Sequence, residues 1–236
     1  MYIDIHTHIL PNVDDGAKSM NEALEILRTL KRRGIEAVAL TPHFYPHSEN
    51  SIHDYKARID ERFCEIKKEL SPDIPELFLG SEVFTFDGIS GMEEVKNLCI
   101  GNSNHVIIEL PYSKITEKTV EDIISLNLKF GIVPILAHIE RYSRFDNFRE
   151  VLALIYDGYA KGQVNADSLL HFKTRRDALG LIHGGFVHFI ASDTHSLKLM
   201  PDIKEALNVV RRKLGPGYVE HIEESYNILY SKIKNG

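Results

Sequence analysis

Cysteine, tryptophan and long apolar runs are scarce in this sequence. Only Cys64 and Cys99 occur among 236 residues, and tryptophan is absent. Two cysteines cannot staple a chain of this size, and their scarcity suits a reducing compartment. No stretch reaches 18 apolar residues, and no basic n-region precedes a long apolar run. Neither a membrane span nor a signal peptide is therefore expected, and a cytoplasmic location is the expectation. Basic residues are outnumbered: the formal net charge is −6. That argues against a nonspecific nucleic-acid surface. It does not argue against phosphorylated substrates, because bound cations reverse a local field.

Several catalytic motifs are missing as well. Neither GxxxxGK[ST] nor GxGxxG occurs, so no glycine-rich loop cradles a nucleotide phosphate. No G-x-S-x-G elbow supplies an α/β-hydrolase serine. No arginine stands six residues after either cysteine, so a thiol-based phosphatase has no visible nucleophile.

What is present is a rhythm. Apolar runs at 2–5, 35–43, 77–82, 105–110, 132–138, 161–166 and 187–193 read as strands. Helical patterns at 19–34, 51–70, 116–131, 147–158, 168–179 and 217–236 separate or close them. Ser19 and Glu22 read as a capping box, and Gly34 and Gly131 as helix ends. Pro134 sits awkwardly inside the fifth strand. About seven strand–helix units predict an α/β fold with a parallel sheet closed, or nearly closed, into a barrel. No low-complexity linker divides the chain, so residues 1–236 are expected to form one domain.

The polar residues fall at the strand ends. His6 and His8 follow strand one and His43 ends strand two; Glu82, Glu109 and His138 end strands three to five; Asp193 and His195 end the last. In a parallel barrel these ends share one face, where active sites lie. Residues i and i+2 of a strand point the same way, so His6 with His8, and Asp193 with His195, can approach one ion together. Imidazole and carboxylate donors together suit zinc, iron or manganese better than magnesium. With Asp15 from the first loop there are nine candidates, more than one ion needs. A carboxylate such as Glu82 could bridge two ions, and metal-assisted hydrolysis is the leading chemistry. Asp14 reads as a loop cap. His47, His53, His105, His171, His183, His188 and His221 read as non-ligands, with His105 at the opposite end of its strand. Arg141, three residues after His138, could clamp phosphate oxygens. Glu140 could orient it or face solvent, and Tyr112 and Tyr142 could line the mouth. An amidohydrolase pattern fits less well, because strand four ends in Glu109 and strand six lacks a histidine.

The ordered stretches DIHTHILPNVDDGAKS, LTPH, LGSE, IIEL, LAHIERY and ASDTH resemble the polymerase-and-histidinol-phosphatase (PHP) superfamily. The resemblance is to its bacterial branch of manganese-dependent protein-tyrosine phosphatases of capsule and exopolysaccharide synthesis, and spans about residues 1–212. It implies a distorted (β/α)7 barrel of PHP type with three metal ions at the C-terminal ends of the strands. Manganese is expected, with iron or zinc as alternatives. It implies one ion on His6, His8, Glu82 and Asp193, a second on Glu82, Glu109 and His138, and a third on Asp15, His43 and His195. Asp193 and His195 would thereby belong to the catalytic centre. Arg141 would bind the substrate phosphate. The implied partner is a phosphotyrosine protein, a membrane-associated tyrosine autokinase, with no nucleic acid and no direct membrane insertion. Ser196 and Lys198 stand where relatives carry asparagine and a later arginine, so the second phosphate-side arginine is missing. A histidinol-phosphate phosphatase, or another small-molecule phosphomonoesterase, is the alternative enzyme. An inactive metal-binding regulatory module is the alternative outside enzymes.

Overall fold

The computed structural model describes all residues except Asn50, Lys114 and Asp146. Its elements follow the expected order. They begin with β1 (Ile3–Asp4), α1 (Met20–Arg32), β2 (Ala37–Leu40), β3 (His43–Phe44), α2 (Ile52–Lys67), β4 (Glu76–Leu79) and β5 (Glu82–Phe84). Then come β6 (His105–Glu109), α3 (Glu117–Phe130), β7 (Val133–Leu136), α4 (Phe148–Tyr156) and β8 (Lys161–Asn165). The chain continues through α5 (Ala166–Leu170), α6 (Phe172–His183), β9 (Phe189–Ala191), α7 (Ile203–Leu214) and α8 (Pro216–Asn235).

Every strand pairing is parallel, in one sheet ordered β1-β2-β4 and another ordered β3-β5-β6-β7-β8-β9. Among the described residues, nine strands replace the expected seven because strands two and three each break once. The first break is at Thr41-Pro42. There Thr41 N–H donates to Thr7 O (2.9 Å) and Thr41 Oγ1 accepts from Thr7 N–H (3.0 Å), while Pro42 has no N–H to offer. The second is at Gly80-Ser81, where Gly80 packs so tightly that an added Cβ would lie 2.9 Å from Ile100 Cγ1. Counted through these breaks, seven strand paths remain. The ring closes through a parallel bridge between Thr7 and Thr194, with His8 N–H to Thr194 O at 2.9 Å and Asp193 N–H to His6 O at 3.0 Å. The arrangement is thus barrel-like and distorted, with its seam between the first and last strands.

Pro134 fits because of register. Val133 N–H and Ala137 N–H both donate to the β6 side, so the Pro134 nitrogen faces β8. Pairing with β8 begins only at Ile135, and no ladder bond is lost there. The predicted helix at 168–179 is two helices, α5 and α6, parted by the extended backbone of His171. The crossover between β5 and β6 is made of 3-10 turns at Ile89–Gly91 and Glu93–Leu98. Helix α7, capped by Asp202 on Glu205 N–H, was not expected from the sequence. In α1, Ser19 accepts from Glu22 N–H as expected, but the Glu22 carboxylate reaches Lys18 N–H rather than the cap's own.

The core is continuous. The β6 strand is buried along its whole length, and Ala23, Leu24, Ile26, Leu27 and Leu30 bury one stripe of α1. Tyr226 of α8 is fully buried, its hydroxyl bonded to both backbone groups of Ile190. No helix among the described residues is long and apolar enough to cross a membrane.

Two histidines away from the strand C-termini store pH dependence. His105 lies at the start of β6, as expected, and His188 precedes β9. Burial, aided by Lys232 and Lys161 for His105 and by Lys161 and His221 for His188, pushes each down to about 3. The unfolded chain binds these protons near the ordinary value of about 6.5, so stability is full above it and is lost as pH falls below it. Each histidine should contribute a slope of about 1.4 kcal/mol per pH unit in that window. Urea denaturation between pH 7.5 and 5 should show the fall, and His105→Gln should flatten it. An unaltered slope in the variant would remove His105 from the account.

Candidate metal centre

All nine expected residues meet at the C-terminal end of the barrel. Glu82, at the start of β5, is at the middle. Its Oε2 lies 2.9 Å from His43 Nδ1, 3.2 Å from His6 Nε2 and 3.2 Å from His8 Nε2. Its Oε1 lies 3.2 Å from His138 Nε2, which is 3.6 Å from Glu109 Oε1. Asp193 Oδ1 lies 3.6 Å from His6 Nε2, 3.4 Å from His8 Nε2 and 3.7 Å from His195 Nδ1. Asp15 Oδ1 is 3.6 Å from His43 Nε2 and 3.4 Å from His195 Nε2.

Among the described residues, three groups could each hold an ion: His8, Asp15, His43 and His195; His6, His8 and Asp193; and His43, Glu82 and Glu109. They overlap with the three expected sets without copying them. His8 enters two groups and stacks on His195 with ring centroids 4.0 Å apart. His43 enters two groups as well, and His138 approaches both glutamates from the other side.

The donor chemistry fits divalent cations. His6 Nε2 and His8 Nε2 face each other at 3.2 Å. Two imidazole lone pairs at that separation need a proton or a cation between them. Glu82 Oε2 is buried and, despite three imidazole nitrogens within 3.2 Å, makes no hydrogen bond of acceptable angle; His43 Nδ1 is likewise unpaired. Donors that converge without bonding one another are what a shared cation requires. Burial followed by the charge of Glu82 pushes the Glu109 carboxyl up, while Glu82 itself, though burial opposes it, is held well below the usual range by its histidines. A cation between the two carboxylates offsets that repulsion.

The first loop is built to aim His8. Asp14, expected only to cap the loop, does so by accepting from Gly16 N–H at 2.9 Å. Its other oxygen sits 2.8 Å from His8 Nδ1 and accepts from His43 N–H at 3.1 Å. Although burial opposes it, Asp14 is held down to about 2 by His8 and these backbone donors. Ala17 N–H donates to His8 O, and a Cβ on Gly16 would lie 1.7 Å from that oxygen. Only glycine allows this approach. His138 and Asp193 hold φ of 35° and 54°, the left-handed region. Such backbone is sparsely populated and persists where the surrounding structure imposes it.

Arg141 stands at the rim in a 3-10 turn, Ile139–Tyr142, directly after His138. Its Nη2 donates to Asp193 Oδ2 at 2.8 Å and its Nη1 to Tyr112 OH at 3.0 Å. Tyr112 is half exposed and stacks on His138 with ring centroids 6.1 Å apart, lining a neighbouring cleft with Arg141. Tyr142 lines neither cleft: it is buried, with its hydroxyl bonded to both backbone groups of Leu110. Glu140 neither faces solvent nor bonds Arg141; it is buried and accepts from Asn165 N–H and Ser168 Oγ. His47 is exposed on the loop after β3 and His53 is exposed in the first turn of α2, and neither lines the cleft. The surrounding cleft, about 590 Å³, is also lined by Tyr45, Asn165, Lys198 and Leu199. Sequence reasoning missed Asp14 as a partner of His8, and missed Tyr45, Gln163 and Asn165. The last two had a signal: polar residues at i and i+2 inside a buried strand, the spacing that flagged His6 and His8.

The family model for capsular polysaccharide synthesis, CpsB/CapC, matches residues 2–228. CapC of Staphylococcus aureus is 34% identical over 99% of this chain and 89% of its own. The tyrosine-protein phosphatase YwqE of Bacillus subtilis is 29% identical over 96% of this chain and 91% of its own. Among solved structures, one from a study of B. subtilis YwqE and Streptococcus pneumoniae CpsB, described as metal-dependent tyrosine phosphatases, superimposes with a TM-score of 0.80. It is 24% identical over 99% of this chain and 94% of that one, and shares the fold.

The Asp14–His8 bond sets the direction of His8, so Asp14→Ala should weaken manganese binding by about 10–100-fold. Titration calorimetry on the full chain checks this. Unchanged affinity, with fold retained by circular dichroism, would make Asp14 a loop cap alone.

Proposed function

The chain belongs to the CpsB/CapC family of capsular polysaccharide synthesis, and from that premise we propose that it is a metal-dependent protein-tyrosine phosphatase. The observation that carries this reading is the nine-residue nitrogen-and-oxygen cage with an arginine at its rim. His6, His8, Glu82 and Asp193 would hold one ion; Glu82, Glu109 and His138 a second; Asp15, His43 and His195 a third. Manganese is the expected ion, with iron or zinc as alternatives. When bound, such ions lower the pKa of water toward neutrality and offset charge on phosphate oxygens.

The chain's own groups supply the rest. Arg141 is anchored by Asp193 and Tyr112 and carries its charge throughout the physiological range. Its planar fork suits the equatorial oxygens of a phosphoryl group during transfer. Burial pushes the Tyr45 hydroxyl up from its ordinary value. It therefore stays protonated and can donate a hydrogen bond into the cleft. A tyrosine leaving group, with a pKa of about 10, needs less help from a general acid than an alkoxide does.

The shape of the cleft favours a protein tail over histidinol phosphate. Lys198 and Leu199, both exposed, form part of its rim, where a protein segment can approach. The relatives named as tyrosine-protein phosphatases agree with that preference. The partner we propose is a phosphotyrosine-bearing autokinase at the membrane, met from the cytoplasm. Lys198 at the rim stands in place of the missing arginine as a point charge.

Two measurements test this. Elemental analysis of the purified protein after manganese addition should give two to three ions per chain, with faster phosphate release from a phosphotyrosine peptide than from histidinol phosphate. The reverse preference would move the assignment to a small-molecule phosphatase. Arg141→Ala should lower kcat by about 10²–10³-fold at unchanged metal content, and Arg141→Lys should restore little of it. Full turnover in Arg141→Ala would remove that residue from the reaction.

A further inference from the structure

Strand β8 carries Gln163 and Asn165 into the space between His6, His138 and Asp193. Both side chains are buried. Gln163 Oε1 accepts from the His138 backbone N–H at 3.0 Å and lies 3.2 Å from His6 Nδ1. Gln163 Nε2 donates to Asn165 Oδ1 at 2.8 Å. Asn165 Nδ2 donates to Asp193 Oδ2 at 2.8 Å, the oxygen that also accepts from Arg141.

The direction of this chain follows from one atom. A peptide N–H can only donate, so the Gln163 atom facing His138 N must be its oxygen. That removes the usual ambiguity of an amide flip. The Gln163 NH₂ is then committed to Asn165, whose oxygen must accept and whose own NH₂ must turn to Asp193. The same oxygen of Gln163 faces His6 Nδ1, so that nitrogen carries the proton and Nε2 presents its lone pair. At the far end, Asp193 Oδ2 is saturated by two donors, which leaves Oδ1 as the oxygen facing His6, His8 and His195.

We propose that Gln163 and Asn165 are positioning residues: a two-amide relay, polarised by the His138 peptide N–H, that fixes the His6 tautomer and the Asp193 carboxylate for a cation. The relay also ties the rim arginine to the floor of the cage, since Arg141 and Asn165 share one oxygen of Asp193. The role rests on the reading of the cage as a cation site and is independent of which phosphoester is cleaved.

Manganese titration calorimetry on the full chain separates the possibilities. Gln163→Leu keeps the volume but loses the acceptor and should weaken binding by about 10–100-fold. Gln163→Glu keeps an acceptor for both His138 N–H and His6 Nδ1 but has no N–H for Asn165 Oδ1, so it should restore only part of that loss. Asn165→Leu leaves Arg141 on Asp193 and should cost less affinity than Gln163→Leu. In the zinc-loaded protein, the His6 Nδ1–H proton should be slow to exchange by NMR in the wild type and fast in Gln163→Leu. Equal manganese affinity in wild type, Gln163→Leu and Asn165→Leu would overturn the relay while leaving the cage reading intact. Equal weakening by Gln163→Leu and Gln163→Glu would also overturn it, because packing rather than the acceptor would then be at work. Absence of manganese binding by the wild type would overturn the cage reading, and the relay with it.

Discussion

The rest of the site is arranged around one buried carboxylate, Glu82. It is almost wholly removed from water, yet its two oxygens lie within 3.2 Å of four imidazoles, His6, His8, His43 and His138. An isolated carboxylate at such depth is strongly disfavoured. Its four imidazole partners come from three different strand ends, so the parallel barrel is what makes the burial tolerable. No single supersecondary unit could bring four imidazoles to one carboxylate. The fold and the chemistry are therefore linked at this residue: strands whose C-terminal ends converge supply ligands from distant sequence positions to a common point.

Much of this was legible in the chain, for a physical reason. A strand buried on both faces is a nearly pure apolar run, so a histidine or carboxylate at its end stands out against the background. That contrast exposed His6, His8, His43, Glu82, Glu109, His138, Asp193 and His195. The breaks at Thr41-Pro42 and Gly80-Ser81 are less visible, because a hydroxyl replacing a ladder bond at the first and a close glycine contact at the second leave no mark in hydrophobic periodicity. The left-handed backbone of His138 and Asp193 is imposed by tertiary contacts and has no sequence signal beyond a mild residue preference. Helix α7 was missed although Asp202 and Glu205 offered a cap, because it follows a loop dominated by site residues.

The side chains behind the ligands were the hardest to see. Asp14 reads as a turn residue, and Asx turns are so common that the sequence carries no further signal there. Its bond to His8 depends on Gly16 folding the loop back against the His8 carbonyl, a contact between residues whose closeness is created by the turn itself. Glu140 and Tyr142 were misjudged from their neighbour Arg141. The 3-10 turn that presents the arginine at the rim buries the residues on either side of it, so adjacency in sequence meant opposite environments in space.

The seam of the barrel gives this centre a second consequence. The first and last strands meet through one bridge, Thr7 to Thr194, with few backbone bonds across it. His6 and His8 lie on one side of that seam, and Asp193 and His195 on the other. Ions shared between them would act as a clasp between segments nearly 190 residues apart. Ligands that bind only the folded chain stabilise it by mass action, and a cross-link spanning so long a loop restricts the unfolded chain strongly. Metal supply would then govern the mechanical closure of the barrel as well as its chemistry, and a cell short of the ion would hold a looser protein as well as a slower one.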